Sequence, residues 1–130
     1  MSRDPARIIL VDHDASVRRA LGRLLASSGF ACDAYASAEE FLAAPGGSEA
    51  ACIVADSRLD GVDGIGLMKL VAARQPGVPF ILLTVEEDET MRRKAREAGA
   101  AAFFRKPVDA EALLDTIRWV LQSPSPAAAA

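Results

Sequence analysis

The chain has 130 residues, 51% of them apolar but only 5% aromatic, and a formal charge of −3. That length supports one domain with one core built from Ile, Leu, Val and Phe. The acidic balance argues against a nucleic-acid surface, which needs clustered Lys and Arg to neutralise phosphates. No run of about 18 apolar residues offers a membrane span, and Met1 to Pro5 lack the apolar stretch of a secretory signal, so the expected location is the cytoplasm.

In chain order, Arg7-Ile8-Ile9-Leu10-Val11 is a continuous β-branched run suited to a strand covered on both faces. Asp14 is placed to cap the helix that follows. That helix sets Val17, Ala20, Leu21, Leu24 and Leu25 on one stripe, and Gly29 ends it. Residues 31–35 form a weaker second strand. Ser37 caps a short helix through Leu42, stopped by Pro45-Gly46-Gly47. Residues 51–55 read as the third strand, with Asp56 at its carboxyl end. The turn Leu59-Asp60-Gly61-Val62-Asp63-Gly64 leads to a helix over 65–74, in which Gly66 is out of character. Phe80 to Leu83 form the fourth strand, ending at Thr84. A charged helix over 88–98 is closed by Gly99. Residues 101–104 form the fifth strand, ending at Lys106-Pro107. The last helix, 109–121, buries Ala110, Leu113, Leu114, Ile117 and Leu121. Residues 1–122 therefore read as one domain, and 123–130, rich in Ser, Pro and Ala, as a tail or the start of a linker.

Five strands alternating with five helices give right-handed βαβ units and a parallel sheet. The expected class is α/β, a flavodoxin-like three-layer (βα)5 sandwich with strand order 2-1-3-4-5. Sites in such sheets lie outside the carboxyl ends of the strands. Those ends deliver Asp12, His13 and Asp14 from strand one, Asp56 from strand three, Thr84 from strand four and Lys106 from strand five. A lone acid at a strand end is usually a cap or a solvated turn, but the set suits phosphoryl transfer. A carboxylate can act as the nucleophile. A lysine and an acid-held Mg²⁺ can neutralise the phosphoryl oxygens, and a hydroxyl can donate to them. No Gly- or Ser/Thr-rich phosphate loop follows strand one, which argues against a flavodoxin-like redox protein. Cys32 and Cys52 make no recognised redox or zinc spacing and read as small buried side chains rather than a disulfide.

Leu10-Val11-Asp12-His13-Asp14, Asp56 after Cys52-Ile53-Val54-Ala55, Leu83-Thr84 and Arg105-Lys106-Pro107 resemble the receiver domains of bacterial two-component response regulators. The resemblance spans about residues 7–121. Val17-Arg18, Asp56-Ser57-Arg58-Leu59 and the segment from Ala98 to Pro107 are similar to the nitrogen-fixation type of regulator. The resemblance implies a phosphorylation-driven signalling switch rather than a turnover enzyme, with Asp56 as phosphoacceptor and a histidine kinase or phosphotransfer protein as donor. It implies that Thr84 and Lys106 bind the phosphoryl group and that Phe103 holds the aromatic switch position. A static core role for Phe103 is the other reading. It further implies Mg²⁺ held by Asp12, Asp56 and the backbone carbonyl of Arg58, and a cis Lys106–Pro107 bond.

This sequence departs from the family pattern at three positions. His13 replaces the acid that would touch the metal, which weakens the implied site. Val85 follows Thr84 where a small residue is usual, and Asp60 stands where Pro is common. His13 and Val85 keep open a second reading, a degenerate receiver that binds partners without phosphorylation. Arg92, Arg93 and Arg96 are expected to face outward from the fourth helix. Asp109, Glu111 and Asp115 give the last helix opposite charge, which suits a homodimer through the fourth helix, fifth strand and fifth helix. Arg92, Arg96, Asp115 and Trp119 make up the expected partner surface, with Trp119 opposite the buried stripe. An output domain, with a role in transcription, would lie beyond the C-terminus.

Overall fold

The computed structural model describes residues 5–44, 50–85 and 89–122. Its elements are β1 (Arg7–Val11), α1 (Ala15–Ser27), β2 (Ala31–Tyr35), α2 (Ala38–Ala43), β3 (Cys52–Asp56), α3 (Gly64–Arg74), β4 (Phe80–Thr84), α4 (Glu89–Glu97), β5 (Ala102–Arg105) and α5 (Ala110–Gln122). The strands form one parallel sheet in the order β2-β1-β3-β4-β5, as the alternation of elements predicts. Among the described residues no helix is long and apolar enough to cross a membrane. The residues expected to form the tail, 123–130, the helix-stopping Pro45-Gly46-Gly47 and the expected helix start at Asp88 lie outside the described residues.

Successive strand residues point to opposite faces, and this divides the core in two. Ile8, Leu10, Cys52, Val54, Ile81 and Leu83 pack under Leu21 and Leu25 of α1 and Leu113, Leu114, Ile117 and Val120 of α5. Ile9, Val11, Ile53, Ala55, Phe80 and Leu82 pack under Phe41 of α2, Leu67, Met68 and Val71 of α3 and Ala95 of α4. β3 and β4 are buried along their whole length, which is why both read as unbroken apolar runs. Tyr35 of β2 meets Phe41 of α2 with ring centroids 5.5 Å apart, seating the short helix on the sheet.

The expected stripes need two corrections. Ala20 is exposed, and α1 buries only Leu21 and Leu25 fully. Ala110 is also exposed, Leu121 is half-buried and Val120 takes the interior place. Ala110 shares the periodicity of the stripe but sits in the first turn, beyond the reach of the sheet. β3 starts and ends one residue later than expected, so Asp56 is its last residue. β5 starts and ends one residue later, because Thr84 pairs with Arg105. Cys32 and Cys52 both pair with Ile8, from opposite sides. Two strand spacings of about 4.8 Å separate them, beyond disulfide reach, and both are free. Burial pushes the Cys52 thiol up to about 12.

Gly66 does not delay α3. Asp63 caps the helix, its Oδ1 accepting from the Gly66 N–H at 2.8 Å. The glycine that matters is Gly64, where a Cβ would stand 2.4 Å from the Asp56 carbonyl oxygen and 2.8 Å from the Ser57 Cα. Only a residue without a side chain lets α3 begin directly against the end of β3.

Candidate functional site

Parallel strands end together, so the residues that end β3 and β4 and those that follow β1 and β5 share one edge. Asp12 is fully buried there, and Asp56 is 3% exposed. Two buried carboxylates need a counter-charge, and Lys106 provides it. Its Nζ donates to Asp12 Oδ2 at 2.5 Å and to Asp56 Oδ2 at 2.9 Å. Burial disfavours the ammonium charge, but the hydrogen bonds to Asp12 and Asp56 outweigh it and raise the lysine pKa. The Lys106 N–H donates to the Thr84 carbonyl at 2.7 Å, which sets the residue against the end of β4. The Lys106–Pro107 bond is cis.

The remaining oxygens of both acids take backbone N–H groups. Asp12 Oδ1 accepts from Asp14 at 2.9 Å, and Asp56 Oδ1 accepts from Arg58 at 3.0 Å. Asp14 is the N-cap of α1, as expected, accepting from Ser16 at 2.8 Å and Val17 at 3.4 Å. These two bonds hold its carboxyl below the usual carboxylate range. Arg18, which the sequence marked only as part of a family motif, donates from Nη1 to the Asp12 carbonyl at 2.7 Å and ties α1 to the site. No periodicity marks such a side-chain to backbone bond six residues apart.

His13 is exposed, yet its Nδ1 lies 3.4 Å from Asp56 Oδ2 and 3.9 Å from Asp12 Oδ1. Ligand atoms of Asp12, His13 and Asp56 all fall within 4.8 Å of one another. These groups, two hard carboxylates and one borderline imidazole nitrogen, could hold a divalent cation. Thr84 is buried at the end of β4, one strand from Asp56. Val85 is exposed beside it.

Phe103 on β5 is half-buried against the α2–α3–α4 side of the core. The guanidinium of Arg92 lies over its ring, 5.7 Å from the centroid. Arg92 therefore does not simply face outward as expected; it is half-buried, while Arg93 and Arg96 are exposed. Asp115 lies 3.5 Å from Arg118 on its own helix. Trp119 is 61% exposed, on the side of α5 away from the sheet.

A family model described as the response regulator receiver domain matches residues 8–118. The chain is 35% identical over 121 residues to the transcriptional regulatory protein FixJ of Bradyrhizobium diazoefficiens, covering 93% of this chain and 59% of that protein. It is 35% identical over 118 residues to the C4-dicarboxylate transport transcriptional regulatory protein DctD of Rhizobium meliloti, covering 91% of this chain and 25% of that protein. Full-length FixJ from B. japonicum superposes with a TM-score of 0.85 at 33% identity, over 98% of this chain and 63% of that one. The chain spans less than two thirds of the length of each of these relatives.

Proposed function

The chain belongs to the response regulator receiver family of two-component systems, and from that premise we propose that it is a phosphorylation-dependent switch with Asp56 as phosphoacceptor. Receiver domains are signalling domains, and they act with histidine kinases and output domains. The observation that carries the reading is Lys106 Nζ bridging the buried carboxylates of Asp12 and Asp56 at the carboxyl edge of the sheet. A structural lysine would be satisfied by one acid at the surface. A lysine held between two buried acids is within reach of a phosphoryl oxygen on Asp56, and the net negative charge left on the cluster favours a divalent cation beside it.

In this reading a phosphohistidine or small phosphodonor gives up its phosphoryl group to an Asp56 carboxylate oxygen. The bond from phosphorus to the donor breaks as the acyl phosphate bond forms. The Arg58 N–H holds the Asp56 carboxylate in orientation through Oδ1. Lys106 then neutralises a phosphoryl oxygen, and the Thr84 hydroxyl donates to another. The donor set fits a divalent cation: Asp12, Asp56 and the Arg58 carbonyl would hold Mg²⁺, with His13 the nitrogen neighbour. Mg²⁺ supplies charge neutralisation on the transferring group.

Residues 1–122 form the receiver and 123–130 the tail or linker toward an output domain. The first-listed curated relatives, which extend beyond the matched region, are transcriptional regulators, and this supports an output in transcription. The protein acts in the cytoplasm, with a sensor kinase or phosphotransfer protein as donor. Phe103 is the switch aromatic, and Arg92, Arg96, Asp115 and Trp119 form the surface that meets a partner or a second copy.

The position of His13 beside both acids favours one second reading, a receiver that binds partners without phosphorylation. Incubation with acetyl phosphate and Mg²⁺, and again with chelator, separates the two. The switch acquires a base- and hydroxylamine-labile phosphoryl group only with the metal. Absence of the adduct at any metal concentration would leave the binding module as the better account.

A further inference from the structure

The loop between β3 and α3 carries the carbonyl of Arg58 and is pinned at its base and at its tip. The base is closed by the Gly64 N–H donating to the Ser57 carbonyl at 3.1 Å and by the Arg58 N–H donating to Asp56 Oδ1 at 3.0 Å. The tip is held from another element. Glu39, in the first turn of α2, accepts through Oε2 from the Val62 N–H at 3.0 Å. Gly61, beside Val62, has φ +77, and a Cβ there would stand 2.4 Å from Glu39 Oε2 and 3.2 Å from its carboxyl carbon. The backbone and the carboxylate therefore meet so closely that a side chain at this position would push the Glu39 carboxylate aside.

Helix capping does not explain this contact. Ser37 Oγ already accepts from the Glu40 N–H at 3.1 Å, and Glu40 Oε2 accepts from the Ala36 N–H at 2.9 Å. Ser37 and Glu40 form the cap of α2, and Glu39, besides engaging its own N–H, reaches across to the loop. The Val62 N–H, and after it the N–H of Glu39 itself, hold its carboxyl below the usual carboxylate range, as a carboxylate engaged by donors requires.

We propose that Glu39 is a positioning residue for the phosphoryl-transfer site: by holding the tip of the β3–α3 loop it fixes the Arg58 carbonyl in place for a divalent cation bound by Asp12 and Asp56. The inference rests on the reading given under Proposed function and adds a residue from α2, an element that contributes no group to the site itself. Groups that orient a ligand from outside the metal shell set affinity through the geometry they enforce.

Two variants separate reach from charge. Glu39→Asp keeps the negative charge at the helix N-terminus but shortens the side chain. Glu39→Gln keeps the length and an acceptor oxygen but removes the charge. Mg²⁺ is titrated calorimetrically into the wild type and both variants, and exchange of the Val62 amide proton is followed by NMR. The Asp variant binds Mg²⁺ about three- to tenfold more weakly with faster Val62 exchange, while the Gln variant stays within about twofold of the wild type in both. The reverse order would assign Glu39 to the helix dipole and overturn the proposal. Equal affinity in all three proteins, with the wild type binding, would overturn this inference alone. Failure of the wild type to bind Mg²⁺ would overturn the reading beneath it and this inference with it.

Discussion

His13 and Lys106 bring opposite consequences to the same pair of acids. Lys106 answers the charge of Asp12 and Asp56, whereas imidazole offers Mg²⁺ a poorer donor than a carboxylate and no negative charge. His13→Asp is therefore expected to raise Mg²⁺ affinity about tenfold and to speed phosphorylation, while lowering the preference for ions such as Zn²⁺ or Co²⁺. Calorimetric titration of both proteins with each ion checks this, and equal Mg²⁺ affinity would show His13 to be neutral. His13 is the only histidine in the chain, so its ring resonances report the contact without ambiguity. Lys106→Met leaves two buried carboxylates without their counter-charge and costs about 1–3 kcal/mol at neutral pH by urea denaturation. The folded-state pKa of Lys106 is raised, so its stabilising contribution is complete below the ordinary lysine value of about 10.4. It is lost as pH rises through the raised value, and the gap between wild type and variant closes only in that alkaline range.

At the scale of elements, β3 and β4 were the most legible strands because they are buried along their whole length and so appear as unbroken apolar runs, whereas half-buried β2, with Asp33 inside it, gave a weaker signal. Once the runs alternate with helical patterns, the sheet rule alone brings Asp12, Asp56, Thr84 and Lys106 to one edge. Contacts made by side chains reaching between elements were not legible. Nothing in the spacing of Glu39, Arg18 or Arg92 indicates that they reach Val62, the Asp12 carbonyl and the Phe103 ring. Gly64 read as a turn residue, and only the closeness of the Asp56 backbone shows why it must lack a side chain. Helix ends were the least legible: Ala110 fits the periodicity of α5 but lies where no strand faces it. The pairing of α4 with β5 through Arg92 and Phe103 gives this scale its prediction. Activation is expected to alter the α4–β5–α5 face and with it the emission of Trp119, the single tryptophan, exposed on α5. Arg92→Ala should change the amplitude of that response. Unchanged emission and unchanged sedimentation on activation would count against a switch on this face.

Taken as a whole, the molecule is one sheet with two apolar faces and one polar edge, and its chemistry sits at that edge. The sheet supplies a frame in which four strand ends are fixed relative to one another, and the proposed switch requires that a change in charge at Asp56 reach β4 and β5. This division makes Asp56 the central claim, since every other assignment depends on a phosphoryl group arriving there. The most direct measurement is the intact mass of the wild type and of Asp56→Ala after incubation with acetyl phosphate and Mg²⁺. The account predicts a single phosphoryl adduct on the wild type and none on the variant. An adduct of equal yield on Asp56→Ala would contradict it.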